Sequence, residues 1–343
     1  MLPPLHIKRA LWAAIMALLL LADCAAPAPG APAEVPVTVI PLAGPVARNS
    51  AEISGIAWHG DDMILLPQYP NRFGNGADGA LLALPRADIE AYLDGVSSEP
   101  LVPVEIPFID GGLRGQIQGF EGYEAIAFAG DRAFLTIEAS QETGMIGYLV
   151  SGEMRGARGG LVLDPTRRAE IPAQAGLGNL SDEAVLVAAD EVLTFYEANG
   201  AAINATPVAH RFDHALVPWG TILVPSIEYR ITDVSALDPE GRFWAINLFW
   251  PSDIHLKPQR DPLAERFGKG PTHARSVAVE RLVEFQYTDT GIELTDTPPI
   301  QLELPGIGQN RNWEALARLG ERGFVLMTDK YPKTMLAFVR AQE

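Results

Sequence analysis

Ten positions along the chain share one pattern: each stands at the edge of a short apolar hairpin and carries a side-chain oxygen. Ser54, Glu124, Glu183, Asp233 and Glu314 precede a first strand, and Gln68, Glu138, Glu197, Asn247 and Asp329 follow a second. Seven of the ten are carboxylates. Carboxylates gathered round one axis either raise one another's pKa values or recruit a cation. Oxygen-only ligation at high coordination number suits calcium, and such a metal would polarise a phosphoryl or ester oxygen and activate water, with Glu124 or Glu138 as general base. The plainer alternative is that these acids cap strands and bind turn amides.

The elements that must position them are five hairpins, "ISGIAWHGDDMILLPQY", "FEGYEAIAFAGDRAFLTIEAS", "DEAVLVAADEVLTFYEANG", "DVSALDPEGRFWAINLF" and "WEALARLGERGFVLMTDKY". A small residue recurs in each first strand, at Gly55, Ala125, Ala184, Ser235 and Ala315. Further strand-like runs lie between the hairpins, and "ADIEAYLDG" is at most a short surface helix. Units of this kind repeated every few tens of residues predict an all-β fold, a β-propeller. Five blades are favoured. Six would need an irregular blade between Asp238 and Trp313. An antiparallel hairpin sets the start of one strand beside the end of the next, so the ten positions gather at one mouth of the tunnel. The orphan strand "VPVTVIPL" from Val35 is expected to complete the last blade and close the ring.

The N-terminus reads as a targeting segment. A basic start, "MLPPLHIKR", leads into the apolar "ALWAAIMALLLLA", which ends in "LADC" at Cys24, the sole cysteine. This resembles a bacterial lipobox, with Asp23 in place of the usual small residue. Residues 1–24 are therefore expected to be a lipoprotein signal, with Cys24 lipidated in the cell envelope on its periplasmic side. A plain secretory signal is the alternative. Residues 25–34 are expected to be a Pro/Ala linker, and 35–343 the propeller domain. The net charge of −17 excludes nucleic acid as a partner and repels phosphorylated substrates unless a metal intervenes.

The motifs "EISGIAW", "YEAIAF", "SDEAVL" and "WEALARL" resemble those of the phytase-like β-propeller domain family, named for the esterase-like activity of phytase. The resemblance spans roughly residues 45–340. It implies an acidic metal-binding tunnel mouth with Glu124, Glu183, Glu314 and Asp329 on the metal face. Glu197, at the other edge of the Glu183 hairpin, joins them. The longer signature of calcium-dependent phytases is missing, so phytate hydrolysis itself is not implied.

No nucleophile elbow, P-loop, zinc helix or dinucleotide fingerprint is present. The insertion from Asn247 to Ser276 carries Lys257, Arg260, Arg266, Lys269 and Arg275, and Arg230, Arg311 and Lys330 adjoin mouth positions. These last three are the expected substrate-binding cations, suited to an anionic small molecule. The expectation is thus a calcium-binding phosphoesterase or esterase-like hydrolase, or a binder of an anionic ligand. Two rivals remain. A calcium-dependent lactonase or arylesterase would add a histidine near the metal, from His210, His214 or His255. A non-catalytic scaffold would use the faces for protein binding.

Overall fold

The computed structural model describes residues 31–342, except 77, 143, 157, 179, 307 and 308. Cys24 and the leader lie outside the described residues. Two short strands, β1 (Glu34–Val35) and β2 (Thr38–Ile40), precede five sheets arranged as blades. Blade one is β3 (Ile53–His59), β4 (Asp62–Pro67), β5 (Ala80–Pro85) and β6 (Val104–Ile109). Blade two is β7 (Phe120–Ala129), β8 (Arg132–Gln141), β9 (Gly144–Met154) and β10 (Leu161–Ile171). Blade three is β11 (Asp182–Ala188), β12 (Glu191–Tyr196), β13 (Val208–Asp213) and β14 (Pro218–Leu223). Blade four is β15 (Arg230–Val234), β16 (Arg242–Phe249) and β17 (Val279–Thr288), with β18 (Gly291–Leu294) and β19 (Ile300–Leu302) both against β17. Blade five is β20 (Trp313–Arg318), β21 (Gly323–Thr328) and β22 (Leu336–Arg340). The described helices are short: α1 (Arg86–Leu93), α2 (Leu113–Gln116) and α3 (Pro262–Phe267).

The inner strands β3, β7, β11, β15 and β20 neighbour one another in that order, and β20 returns to β3. The ring therefore closes with five blades. Residues 238–313, where a sixth would have had to lie, build the outer strands of blade four instead. Small residues permit this convergence. A Cβ added to Gly55 would sit 3.1 Å from the backbone nitrogen of Ile126 and 3.2 Å from the Ala125 Cα. Ala125, Ala184, Ser235 and Ala315 hold the matching places and are almost fully buried.

Each blade buries both faces, which is why its strands read as unbroken apolar runs. On β4, Met63 and Leu65 pack toward blade five, while Ile64 and Leu66 pack toward blade two. Five such apolar layers fill the five boundaries between blades. Each fully buried Leu or Ile contributes about 1.5–3 kcal/mol relative to exposure.

Closure is by the N-terminal strand, as its pattern predicts, with one addition. β2 pairs antiparallel with β22, Thr38 opposite Phe338 and Ile40 opposite Leu336. β1 instead joins blade four, parallel to β19, with Glu34 opposite Gln301. The N-terminal segment thus stitches two blades together. A second stitch, the parallel pairing of β6 with β10, joins the outer edges of blades one and two.

Candidate functional site at the tunnel mouth

Seven of the ten oxygen-bearing positions line one cavity of about 450 Å³ at the tunnel mouth. Blade one supplies Ser54 and Gln68, blade two Glu124 and Glu138, blade three Glu183, and blade five Glu314 and Asp329. Ser54 donates to the carbonyl of Tyr123 at 2.6 Å, locking blade one to blade two beside Glu124. Gln68 donates to Glu124 Oε1 at 3.0 Å.

At its hairpin end blade four contributes a cation, Arg230, and its one acid in the cavity, Asp253, comes from the insertion after β16. Arg230 opens β15, and the residues before it, Glu228 and Tyr229, both take the left-handed backbone conformation, at φ 66° and 62°. Non-glycine residues pay for this region with about 1–3 kcal/mol each, and such strain gathers at functional sites. The bend delivers the guanidinium into the acids. Its Nη2 lies 3.1 Å from Glu314 Oε1 and 3.7 Å from Glu183 Oε2. Its Nε pairs with Glu197, and Nη1 lies 3.2 Å from Asn312 Oδ1 and 3.8 Å from Asp253 Oδ2. Burial alone would lower the Arg230 pKa, but the charges of Glu197, Glu314 and Glu183 more than offset it.

The carboxyls divide by what surrounds them. Burial, then the charge of Glu138, holds Glu124 well above the carboxylate range. Burial, then the charge of Glu197, raises Glu138 to about 7. Burial raises Glu314 to about 8, although Arg230 pulls the other way. Glu183 is pushed well up by burial and by Glu197 and Glu314. Glu138 Oε1, Glu183 Oε2 and Glu197 Oε2 are buried; among the described residues no cation is paired to Glu138, beside which the Ser181 hydroxyl stands, and Glu183 and Glu197 stand beside each other next to Arg230. Glu138 is only 5% exposed, so its oxygen is set in the cavity wall rather than in solvent. Such an arrangement can hold and transfer protons, or accept hydrogen bonds from a ligand.

Several expected roles are not realised. Asp233 turns away from the mouth, accepting from the Val234 and Leu316 amides, because β15 begins earlier and Arg230 takes the mouth position. Asn247 is buried against Arg281 and the Glu228 and Arg230 carbonyls. Arg311 does not reach the cavity: its Nε binds Glu280 Oε2 at 2.8 Å and its Nη2 the Glu303 carbonyl at 2.7 Å. Lys330 does line the cavity, but its Nζ is 3.2 Å from Glu52. All three expected anion-binding cations are therefore engaged by acids. In the insertion, Arg260 pairs with Glu265 and Arg266 with Asp296. It gives the cavity Trp250, Asp253, His255 and Leu256 rather than cations. His255 is the one candidate histidine that lines the cavity; His210 and His214 belong to blade three, near Asp182 and Phe134.

The residues do not fit the expected calcium ion. Three of the five anticipated ligands, Glu183, Glu197 and Glu314, surround the Arg230 guanidinium. Glu124 accepts from the Gln68 amide, and Asp329 accepts from the Tyr331 backbone N–H. Among the described residues no three His, Cys, Asp or Glu side chains are grouped as metal ligands. The charge a metal would have supplied at the hub is carried by Arg230.

Sequence reasoning missed Glu52, Tyr69, Glu121, Trp250, Asp253 and Tyr331, all of which line the cavity. Each follows or precedes a recognised mouth position by a few residues, so the hairpin ends marked the neighbourhood but not the members.

No protein-family model matches the sequence, and no curated protein matches it. Among solved structures it is similar to an α-L-arabinofuranosidase from Podospora anserina (8% identity, TM-score 0.47, 90% of this chain and 97% of that one). It is also similar to an α-L-arabinanase from Cellvibrio cellulosa (11%, 0.43, 84% and 91%) and a glycosyl hydrolase from Bacteroides ovatus (9%, 0.44, 84% of each). Identity this low says nothing of activity. The fold itself is a five-bladed β-propeller whose strand order closes on its own N-terminal segment.

Proposed function

We propose that this is an envelope-anchored, phytase-like propeller hydrolase whose tunnel mouth works by proton transfer between carboxyl groups, without a metal. The observation that carries the reading is geometric: Glu124 and Glu138 are neighbouring buried carboxyls in one cavity wall, Glu124 held by the Gln68 amide and Glu138 by no cation, and burial raises both. Two acids with different protonation behaviour in one cavity are what acid/base hydrolysis needs. Protonated Glu124 gives its proton to the leaving oxygen as the bond to that oxygen breaks. Ionised Glu138 takes a proton from water, whose oxygen forms the new bond. An ester, lactone or glycoside suits the site better than a phosphomonoester, which would meet an acidic wall with no unengaged cation. His255 at the rim is the reason to include lactones.

The test is a panel of aryl esters, lactones, aryl glycosides and aryl phosphates, assayed on the full-length chain with calcium or with chelator. Turnover of a non-phosphate substrate is expected, indifferent to chelator and reduced about 10²–10⁴-fold in Glu124→Gln and in Glu138→Gln. Turnover that requires calcium, or that survives both substitutions, overturns the reading. So does a panel with no turnover at all.

A further inference from the structure

Eight carboxyl groups line the mouth cavity against two full cations, Arg230 and Lys330. Both cations are already held, Arg230 by Glu197 and Glu314 and Lys330 by Glu52. Even with Glu124, Glu183 and Glu314 protonated, the remaining acids outnumber them. An anion entering this cavity finds no unengaged partner and several like charges.

The carboxyls alone would not make a ligand site, but two further observations do. Glu138 is buried in the wall with the Ser181 hydroxyl as its neighbouring donor and no cation paired to it, so a positive charge is what its Oε1 lacks. The rim is aromatic, with Trp250 directly after β16 and Tyr331 after β21, their ring centroids 6.2 Å apart and inclined at 48°. Tyr69 completes it from blade one. Two of these rings already carry a cation over the face. Arg72 lies 4.1 Å from the Tyr69 centroid and Lys330 Nζ 5.8 Å from that of Tyr331. Among the described residues no side-chain cation lies over Trp250, whose ring type attracts cations most strongly.

We propose that the mouth selects a small organic cation, with its positive charge taken up by the Glu138 wall and its carbon skeleton by Trp250 and Tyr331. The proposal rests on the mouth being the substrate site, and it names the substrate class that Proposed function leaves open. It replaces the anionic ligand expected from the sequence. A cavity of about 450 Å³ has the size of an ordinary small-molecule pocket. The wall supplies charge and the rim supplies fit, so neither a bare metal ion nor a neutral hydrocarbon satisfies both.

Three probes of one shape separate the terms: choline, its neutral carbon isostere neohexyl alcohol, and the anionic isostere tert-butylacetate. Binding to the full-length chain is read by titration calorimetry, which needs no turnover. Choline is expected to bind at least tenfold more tightly than the alcohol, and tert-butylacetate not to bind. Glu138→Gln and Trp250→Ala should each weaken choline about tenfold, while Trp250→Phe keeps most of the affinity. Preference for tert-butylacetate, or equal binding of choline and the alcohol, overturns the proposal. Choline binding that ignores both the Glu138 and the Trp250 substitutions also overturns it, because it would reflect only the −17 net charge. If choline binds as expected but no ester, lactone or glycoside is cleaved, hydrolysis fails and the cation site stands. If cleavage occurs and choline neither binds nor inhibits, the cation site fails and hydrolysis stands.

Discussion

Arg230 Nη2 and Glu314 Oε1 meet at 3.1 Å across the boundary between the fourth and fifth blades, on the rim of the tunnel. The same guanidinium reaches Glu183 and Glu197 of the third blade. One side chain therefore neutralises acids from two neighbouring blades. Removing one partner of a buried ion pair leaves the others uncompensated, which costs about 3–5 kcal/mol.

Replacing Arg230 with Met should accordingly destabilise the chain by about that amount and leave a set of acids without a counter-charge. Calcium should then raise the melting temperature of Arg230→Met by mass action, and chelator should lower it again. The wild-type melting temperature should respond to neither. A wild-type chain stabilised by calcium as much as the variant would mean that the acids hold an ion beside Arg230.

The mouth acids also set a pH dependence whose sign can be worked out. Glu138 and Glu314 sit at about 7 and about 8 in the folded chain, against an ordinary value of 4.5. Between pH 4.5 and 8 the folded chain thus binds more protons than the unfolded one, so these groups make stability fall as pH rises through that window. Glu138→Gln should flatten the lower part of the slope and stabilise the chain at pH 8, on the order of 2 kcal/mol. Thermal melts at pH 5, 6, 7 and 8 would show it; a variant slope equal to the wild-type slope would count against the buried Glu138.

Glu34 should act as the latch of the ring. Its carboxylate accepts from the Thr272 amide at 3.0 Å, from Thr272 Oγ1 at 2.7 Å and from the His273 amide at 3.0 Å, and it lies 2.8 Å from His273 Nδ1. Burial opposes its charge, but bonds from His273 and Thr272 win and hold its pKa below the usual range. That stabilisation is present above pH 4.5 and lost as pH falls through the lowered value. Glu34→Ala should cost about 3 kcal/mol at pH 7 and much less near pH 3. Deleting residues 34–45 should lower the melting of the whole domain in one transition. A separate early transition would show that the ring holds without the latch.

Replacing Cys24 with Ser should move the protein from the membrane to the soluble periplasmic fraction. A wild-type chain that fractionates as soluble would remove the anchor from the proposal.

The ring was legible in the sequence because its physics is local and repeated. Gly55, Ala125, Ala184, Ser235 and Ala315 mark the crowded inner strands, and an alternating pair of buried faces makes each hairpin apolar throughout. The acids at the hairpin ends were legible for the same reason. Arg230 was read as a ligand-binding cation rather than as their hub, because its placement depends on where β15 starts. Two left-handed residues and a register irregularity between Ile231 and Val234 decide that. Trp250 and Asp253 escaped because they sit on an insertion with no repeat to betray its direction, and for the same reason His255 could be named but not placed. Arg311 misled because nearness in sequence to a mouth position does not fix which way a side chain turns; its partner Glu280 comes from β17.

The position of Glu34 has a mechanical consequence. This residue opens β1 and is gripped by Thr272 and His273, on the insertion that also walls the mouth. For a chain tethered at Cys24, the span from 24 to 34 reaches roughly 35 Å when fully extended. The domain would then stand within about that distance of the lipid surface. Any tug on the tether would pass first into β1 at the edge of blade four and into the loop holding Glu34, and only then into β2, which closes the ring.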